Sequence, residues 1–357
     1  MGQDAAYLCY TSGTTGDPKG AVLTHGSFDA VSRSWAQCLP ITFDDVFYLP
    51  FPLAFTGGLA VLVWSLVAGC TVVLDRAFEP GRAIEVMEQR RVTALMAVPL
   101  ILRQVVDHPS LPSADLSAWR TACSGGAAVP PSLLADVQAL GVPMLQMFGL
   151  TESSGMATLL PPHDAERKLG SAGLPVPRTR VEILDPDDRP CPPGEVGEIV
   201  IHGPQVMQGY WRDDEATVTT RRGGGLHTGD LGYLDDEGYL YVVDRAKDML
   251  ITGGLNVYPA ELERVLAGLP GVTELAVIGV PHDRWGEAPA VIACTDGGDL
   301  DPAVVLDACR STLGSYKLPR FLVQRTEPLP RNMSGKVLKR ELRVEYAELQ
   351  RTTAELR

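Results

Sequence analysis

Short apolar runs alternate with helical patterns over about the first two hundred residues of the chain. Apolar and β-branched runs at 71–74, 93–98 and 143–147 predict buried strands. Between them, apolar residues spaced three and four positions apart predict helices at 80–91 and 130–140. This alternation is typical of a layered α/β domain.

The pattern changes between Arg178 and Asp244, where we predict strands at 181–184, 198–202 and 238–243 and no helix. Asp-Pro, Pro-Gly and Glu-Gly dipeptides separate these strands, as expected for turns. A β-rich module of about 178–245 is therefore predicted to close the first part of the chain.

A third pattern follows Arg245, with helices predicted at 259–269 and 302–313, strands at 275–280 and 289–293, and a last helix from about 337. The predicted fold class is α/β, with a large layered domain and its β-rich module at 1–245 and a small, mobile α+β domain at 246–357.

Composition limits the function classes. The formal charge of −13 disfavours a nucleic-acid surface, which needs a positive footprint. Seven scattered cysteines without a Cys-x-x-Cys pair favour reduced thiols, and hence a cytoplasmic protein. The run from Leu59 to Ala68 is about half the ~20 residues that a bilayer span needs, so it predicts a buried helix. The start of the chain offers neither an export signal nor a lipid anchor.

The segment from Tyr10 to Gly20 combines hydroxyl side chains, glycines and one lysine directly after an apolar run. Backbone N–H groups freed by glycines, hydroxyl donors and a cation together favour a nucleoside triphosphate as ligand. The spacing is not that of a Walker A loop, because Pro18 precedes Lys19 and Gly20 follows it. On composition alone, a mobile surface loop is an equal alternative.

Six further segments follow this loop in order. They are Ser124 to Ala128, Phe148 to Glu152, Thr228 to Asp230, Asp244 to Asp248, Gly253 to Pro259 and Pro330 to Lys336. Together with the opening loop they strongly resemble the adenylate-forming superfamily, which comprises acyl-CoA synthetases, peptide-synthetase adenylation domains and beetle luciferases. The resemblance runs the whole length of the chain.

The resemblance implies an ATP- and Mg²⁺-dependent reaction. A carboxylate attacks the α-phosphorus of ATP, pyrophosphate leaves, and a thiol then displaces AMP from the acyl-adenylate. Thr151 would reach the α-phosphate and Glu152 would bind Mg²⁺. The β- and γ-phosphates would be held by Thr11, Ser12, Gly13, Thr14, Thr15 and Lys19. Taken alone, Glu152 is equally a carboxylate at a helix start.

The same resemblance assigns the nucleoside. Gly125, Gly126 and Ala127 would form one wall of the adenine slot, with Phe148 across the ring; the family usually has Tyr where Phe148 stands. Gly149 is also among the nucleotide-binding residues that the resemblance implies. Asp230 would bind both ribose hydroxyls and Arg245 the ribose or phosphate. In isolation, Asp230 is a turn cap and Arg245 a partner of Asp244.

The end of the chain would supply the catalytic cation and the second step. By resemblance, Lys336 enters the site from the small domain and bridges the attacking carboxylate and the ester oxygen, although alone it is an ordinary solvated lysine. Lys247 would be the hinge between the two half-reactions. Gly253 and Gly254 would line the pantetheine tunnel of CoA.

The acyl pocket implied by the resemblance is apolar and uncharged, which favours a hydrophobic monocarboxylic acid such as a fatty acid. Its residues are Phe55, Thr56, Gly57, Val98 and Met156. Family members often carry His where Phe55 stands, so one hydrogen bond to the carboxylate is absent.

Three functions remain open from the sequence: an acyl-CoA ligase, an acyl-adenylate former that loads the phosphopantetheine of a separate carrier protein, and an inactive nucleotide-binding module. Family members carry roughly 150 residues ahead of the phosphate loop, so we expect an exposed edge of the large domain. Three alternatives stay open: a homo-oligomer covers that edge, another chain covers it, or the sequence is a fragment.

Overall fold

The computed structural model describes residues 2–11, 18–50, 52–331 and 336–356. The α-helices in these ranges are α1 (His25–Cys38), α2 (Thr56–Ala68), α3 (Pro80–Gln89), α4 (Pro99–Val106), α5 (Pro131–Ala139), α6 (Asp214–Thr220), α7 (Pro259–Leu266), α8 (Pro302–Arg310), α9 (Lys339–Glu345) and α10 (Leu349–Thr352). The strands are β1 (Ala5–Thr11), β2 (Lys19–Thr24), β3 (Val46–Leu49), β4 (Thr71–Leu74), β5 (Ala94–Ala97), β6 (Thr121–Gly125), β7 (Met144–Phe148), β8 (Thr158–Leu160), β9 (Leu174–Pro175), β10 (Arg180–Leu184), β11 (Gly197–His202), β12 (Gly209–Tyr210), β13 (Leu226–Leu234), β14 (Leu240–Arg245), β15 (Leu250–Thr252), β16 (Leu255–Val257), β17 (Val272–His282), β18 (Gly286–Thr295) and β19 (Phe321–Arg325).

A seven-stranded sheet of order β4-β3-β5-β6-β7-β8-β9 dominates the first part of the chain. Strands β4 to β7 pair in parallel, whereas β8 and β9 pair antiparallel at one edge. The strands predicted at 71–74, 93–98 and 143–147 are thus confirmed as β4, β5 and β7. Because parallel strands end at the same edge, the residues that follow β5, β6 and β7 lie together, where open α/β sheets bind ligands.

Helices cover both faces of this sheet, which confirms the predicted α/β layering. One core contains buried residues of α3, α4 and α5, and the other contains those of α1 and α2. Trp35 and Trp64 join α1 to α2, with ring centroids 4.9 Å apart. Both faces of the strands that carry the nucleotide motifs are therefore packed and held in place.

A three-stranded sheet, β1-β2-β12, and a four-stranded sheet, β10-β11-β13-β14, complete this part. The prediction that no helix lies between Arg178 and Asp244 is wrong, because α6 occurs there. Its N-cap, Asp213, accepts a hydrogen bond from the N–H of Ala216. Since Ala216 is its one buried residue, α6 carries no apolar periodicity for a sequence pattern to detect.

The last part of the chain folds around a five-stranded sheet, with the order β16-β15-β18-β17 and β19 paired to β18. Helices α7 and α8 pack on one face, and α9 and α10 on the other. The strands predicted at 275–280 and 289–293 are the centres of the longer β17 and β18.

By their internal contacts the described residues form two units. The larger comprises Met1–Thr228 with Gly232–Val242, and the smaller comprises Gly229–Leu231 with Val243–Arg357. In the part of the chain that the structure describes, no helix combines the length and the apolar character that crossing a bilayer requires.

Candidate active site

The two ends of the predicted phosphate loop meet in the β1–β2 hairpin of the larger unit. Thr11 lies opposite Lys19 in the strand register, and its hydroxyl donates a 3.3 Å hydrogen bond to the carbonyl of Lys19. Ser12, Gly13, Thr14 and Thr15 lie outside the described residues, so their contacts with phosphate stay predictions. The sheet holds the loop ends together on rigid strands, as a phosphate cradle requires.

Close backbone approach explains the small residues at the carboxyl edge of the large sheet. A Cβ atom on Gly125 would lie 2.6 Å from Cγ of Met147 and 3.0 Å from its carbonyl oxygen. Gly126 has a φ of +83°, and its Cβ position would lie 3.5 Å from Cγ1 of Val98. Ala127 follows as an exposed residue, and Phe148 ends β7 half-buried.

Two polar side chains beside these glycines were not singled out from the sequence. Ser124 and Gln146 face each other in the register of β6 and β7 and are both buried. Neither Oγ of Ser124 nor Nε2 of Gln146 has a hydrogen-bond partner among the described residues. Buried polar atoms are nearly always paired, so these two are exceptions within the core of the sheet. The available signal was a glutamine within an otherwise apolar strand.

Residues from three predicted roles meet around the turn at 151–153. The hydroxyl of Thr56, at the start of α2, lies 3.0 Å from that of Thr151 and 3.0 Å from Sγ of Cys9. A Cβ atom on Gly149 would lie 2.5 Å from the carbonyl oxygen of Gly155, so the chain segments on either side of this turn are in contact. The predicted α-phosphate ligand, the predicted acyl pocket and the strand that enters the phosphate loop are therefore adjacent.

The remaining predicted acyl-pocket residues lie at the start of α2 or beside the nucleotide motifs. Phe55 is the residue before α2 and is half-buried, as is Gly57. Val98 lies beside Gly126, and Met156 is fully buried in the core. Val98 and Met156 are therefore neighbours of the nucleotide motifs.

Glu152 is a largely buried carboxylate in the first turn of the short 3-10 helix Thr151–Ser153. Its Oε1 accepts a 2.7 Å hydrogen bond from the hydroxyl of Tyr210. Burial and the Glu152 charge raise the pKa of Tyr210 well above its usual range, so the tyrosine stays a neutral donor. The described chain holds no group of three or more His, Cys, Asp or Glu side chains that could bind a metal by themselves. A single carboxylate suits Mg²⁺ bound mainly through substrate phosphates, so the residues present fit that ion.

In the smaller unit, Asp230 and Arg245 form an ion pair, with Nε of Arg245 3.2 Å from Oδ1 of Asp230. Asp244 is engaged elsewhere: its carboxylate accepts hydrogen bonds from the N–H groups of Arg245 and Ala260. Burial raises the pKa of Asp244. The two residues predicted to bind the ribose are thus brought together.

The predicted hinge and tunnel residues lie in two successive turns of the smaller unit. Lys247 is exposed in the turn after β14, which a hydrogen bond from the N–H of Asp248 to the carbonyl of Arg245 closes. Gly253 and Gly254 form the turn between β15 and β16, with φ of +57° and +84°. A two-residue hairpin with two positive φ angles favours glycine by itself.

Trp285 is a further residue that sequence reasoning missed. The Cβ position of Gly253 would lie 3.0 Å from Cε3 of Trp285. Two guanidinium groups flank the indole, with Cζ of Arg284 at 4.6 Å and Cζ of Arg320 at 5.5 Å from the ring. An aromatic face with two cations suits a nucleotide.

Lys336 is exposed and follows a stretch, 332–335, outside the described residues. An isolated bridge between Arg331 and Val337 closes this loop, and the N–H of Leu338 donates to the carbonyl of Pro330. The lysine is thus carried on a loop with fixed ends, directly before α9.

Comparison with known proteins gives consistent matches. Residues 2–211 match the model of the AMP-binding enzyme family, and residues 261–336 match that of the AMP-binding enzyme C-terminal domain. The chain is 44% identical to feruloyl-CoA synthase of an Amycolatopsis species, over 95% of this chain and 70% of that protein. It is 39% identical to the long-chain-fatty-acid–CoA ligase FadD13 of Mycobacterium tuberculosis, over 97% of this chain and 68% of that one.

Among solved structures, o-succinylbenzoate CoA synthetase (MenE) of Bacillus subtilis in complex with ATP and magnesium superimposes with a TM-score of 0.89 at 36% identity. The match covers 96% of this chain and 70% of that one. The order of motifs, the strand-edge site and these matches agree: the chain belongs to the AMP-binding enzyme family of the adenylate-forming superfamily.

Proposed function

We propose that the protein is an AMP-forming acyl-CoA ligase that uses ATP, Mg²⁺ and CoA. The observation that carries the proposal is the 3.0 Å approach of Thr56 to Thr151, at the edge where β6 and β7 end. It puts the start of the predicted acyl pocket beside the predicted α-phosphate ligand. A carboxylate bound there lies next to the phosphorus that it must attack, which removes much of the entropic barrier.

The residues of the larger unit would bind and orient the nucleotide. Gly125, Gly126 and Ala127 would form one wall of the adenine slot, because residues without a large side chain let the backbone approach the ring. Thr151 would donate to the α-phosphate. Mg²⁺, when bound at Glu152, supplies positive charge to the phosphates.

The residues of the smaller unit would complete both half-reactions. Lys336 donates a charged hydrogen bond to the oxygens on which negative charge builds up during adenylation, and such donors act strongly in water-poor sites. Gly253 and Gly254 present a backbone without side chains to the pantetheine. Trp285, Arg284 and Arg320 suit the adenine and phosphates at the other end of CoA.

The proposed acid is a hydrophobic monocarboxylic acid. None of the five predicted pocket residues carries a charge that would pair a second carboxylate. The names of the relatives include a feruloyl, a long-chain fatty acid and a 2-succinylbenzoate enzyme, so the uncharged pocket residues, and not these names, favour a single carboxylate. Aromatic and aliphatic acids are therefore the first classes to test.

Release of pyrophosphate from Mg-ATP tests the proposed function. We expect release that depends on the acid and rises when CoA is added, with AMP and thioester formed in equal amounts. Acid-dependent release that ignores CoA would indicate a carrier protein as the acceptor. ATP binding without any release would contradict the proposal and favour the nucleotide-binding module.

Replacing Lys247 with proline should slow the CoA step by at least about tenfold while changing adenylation little. Proline fixes φ, and a hinge must change it. In the described chain the N–H of Lys247 donates no backbone hydrogen bond, so the substitution removes none. Single-turnover measurements of the two half-reactions separate the steps.

Lys247→Ala is the matched control, because it removes the charge but keeps φ free. If proline slows both half-reactions equally, or alanine reproduces the effect of proline, residue 247 is not a hinge.

A further inference from the structure

Lys19, Glu152, Tyr210 and Asp213 form one contiguous group in the larger unit. The Tyr210 hydroxyl donates to Oε1 of Glu152 at 2.7 Å. Nζ of Lys19 lies 5.4 Å from the centroid of the Tyr210 ring and 3.7 Å from Oδ2 of Asp213. Tyr210 thus contacts both the predicted metal ligand and the lysine of the predicted phosphate loop.

Backbone contacts hold Tyr210 and Glu152 in place independently of the bond between their side chains. Tyr210 lies in β12 opposite Ala21 of β2, and its N–H donates to Oγ1 of Thr217 at 2.8 Å. The N–H of Met207 donates to the carbonyl of Glu152 at 2.8 Å. Removing the tyrosine hydroxyl therefore leaves both backbones anchored.

The hydrogen bond from Tyr210 makes the two oxygens of the Glu152 carboxylate different, because only one of them accepts it. Oε1 accepts from Tyr210, and no other side chain in the described ranges hydrogen-bonds to this carboxylate. A metal ion at Glu152 that leaves the tyrosine bond intact has one oxygen, Oε2, available. Mg²⁺ requires near-octahedral coordination by few protein ligands, whereas the larger Ca²⁺ takes six to eight oxygens and accepts both oxygens of a carboxylate.

We propose that Tyr210 is a positioning residue that reserves one oxygen of Glu152 and so makes the nucleotide site favour Mg²⁺ over Ca²⁺. The inference rests on the proposed function, since it requires that Glu152 bind the metal of a metal–ATP complex. It adds to that function a determinant of metal selectivity 58 residues away along the chain.

Tyr210→Phe removes the hydroxyl, and with it the bond to Glu152 and a contact with Thr220, but keeps the ring that lies under Lys19. Binding of ATP without any acid, measured by calorimetry in Mg²⁺, in Ca²⁺ and in EDTA, gives the metal preference without turnover. We expect the ratio of the Ca²⁺ to the Mg²⁺ dissociation constant to fall about tenfold in Tyr210→Phe, as expected for the loss of one hydrogen bond to a charged group. Binding of metal-free ATP should be unchanged.

Tyr239→Phe is the matched control. Tyr239 also donates to a carboxylate, that of Asp164, within the same unit. Its loss should leave the metal ratio unchanged. An unaltered ratio in Tyr210→Phe, or an equal loss of ATP affinity in all three conditions, would overturn the inference while leaving the proposed function standing. If the unsubstituted protein binds ATP no better with Mg²⁺ than in EDTA, the metal role in the proposed function fails as well.

Discussion

Replacing Lys336 with alanine is expected to slow adenylate formation about 10²- to 10³-fold, the usual effect of removing a donor that stabilises transition-state charge. Thioester formation from a supplied acyl-adenylate should stay within about twofold, because the mixed-anhydride bond between the acid and the phosphorus has already formed and its charge no longer needs this cation. Pyrophosphate release measures the first step, and thioester formation from the acyl-adenylate and CoA measures the second.

Arg340→Ala provides the control for Lys336→Ala. Arg340 is an exposed cation in α9, a few residues further along the chain. Its loss changes the net charge equally and should leave both half-reactions intact. Equal losses in both half-reactions of Lys336→Ala would contradict a role of Lys336 in adenylation alone. A similar loss in Arg340→Ala would show that the effect comes from the overall charge and not from Lys336 itself.

Replacing Asp230 with alanine is expected to weaken AMP binding about 100-fold, since two hydrogen bonds from the ribose to a charged carboxylate are lost. The substitution also leaves the guanidinium of Arg245 without the partner that it now has at 3.2 Å. Calorimetric titration with AMP measures the loss. Asp230→Asn keeps one acceptor oxygen, so its affinity for AMP should lie between that of the unsubstituted protein and that of Asp230→Ala.

A nucleotide without ribose hydroxyls distinguishes recognition from loop stability. If Asp230 binds both hydroxyls, 2′,3′-dideoxy-AMP should bind the alanine variant as weakly as it binds the unsubstituted protein. If Asp230 instead only caps its turn, alanine should weaken binding of AMP and dideoxy-AMP by the same factor.

Local sequence sufficed for strands that are apolar runs. The nucleotide-binding roles of Gly125, Gly126 and Gly149 came from the resemblance and stay predictions, although the structure gives each glycine a close contact or a positive φ. The strands β4, β5 and β7 were predicted because each is an uninterrupted apolar run. The apolar pattern of each strand lies within the strand itself, so a short stretch of sequence is enough to predict it.

Residues that act through distant partners could not be predicted in this way. The role proposed for Tyr210 depends on its bond to Glu152, and Trp285 lies next to Gly253 and Arg320, which are far from it in the sequence. The Asp230–Arg245 pair joins residues on different strands, β13 and β14. Helix α6 was missed because a short, polar helix with one buried residue has no apolar periodicity.

The hydroxyl of Thr56 lies within 3.0 Å of both Thr151 and Cys9, and thereby joins α2, the turn at 151–153 and β1. If Thr56 lines the acyl pocket and Thr151 binds the α-phosphate, as proposed, a substitution at Thr56 that changes which acid is accepted also shifts an α-phosphate ligand, and so changes the reaction rate.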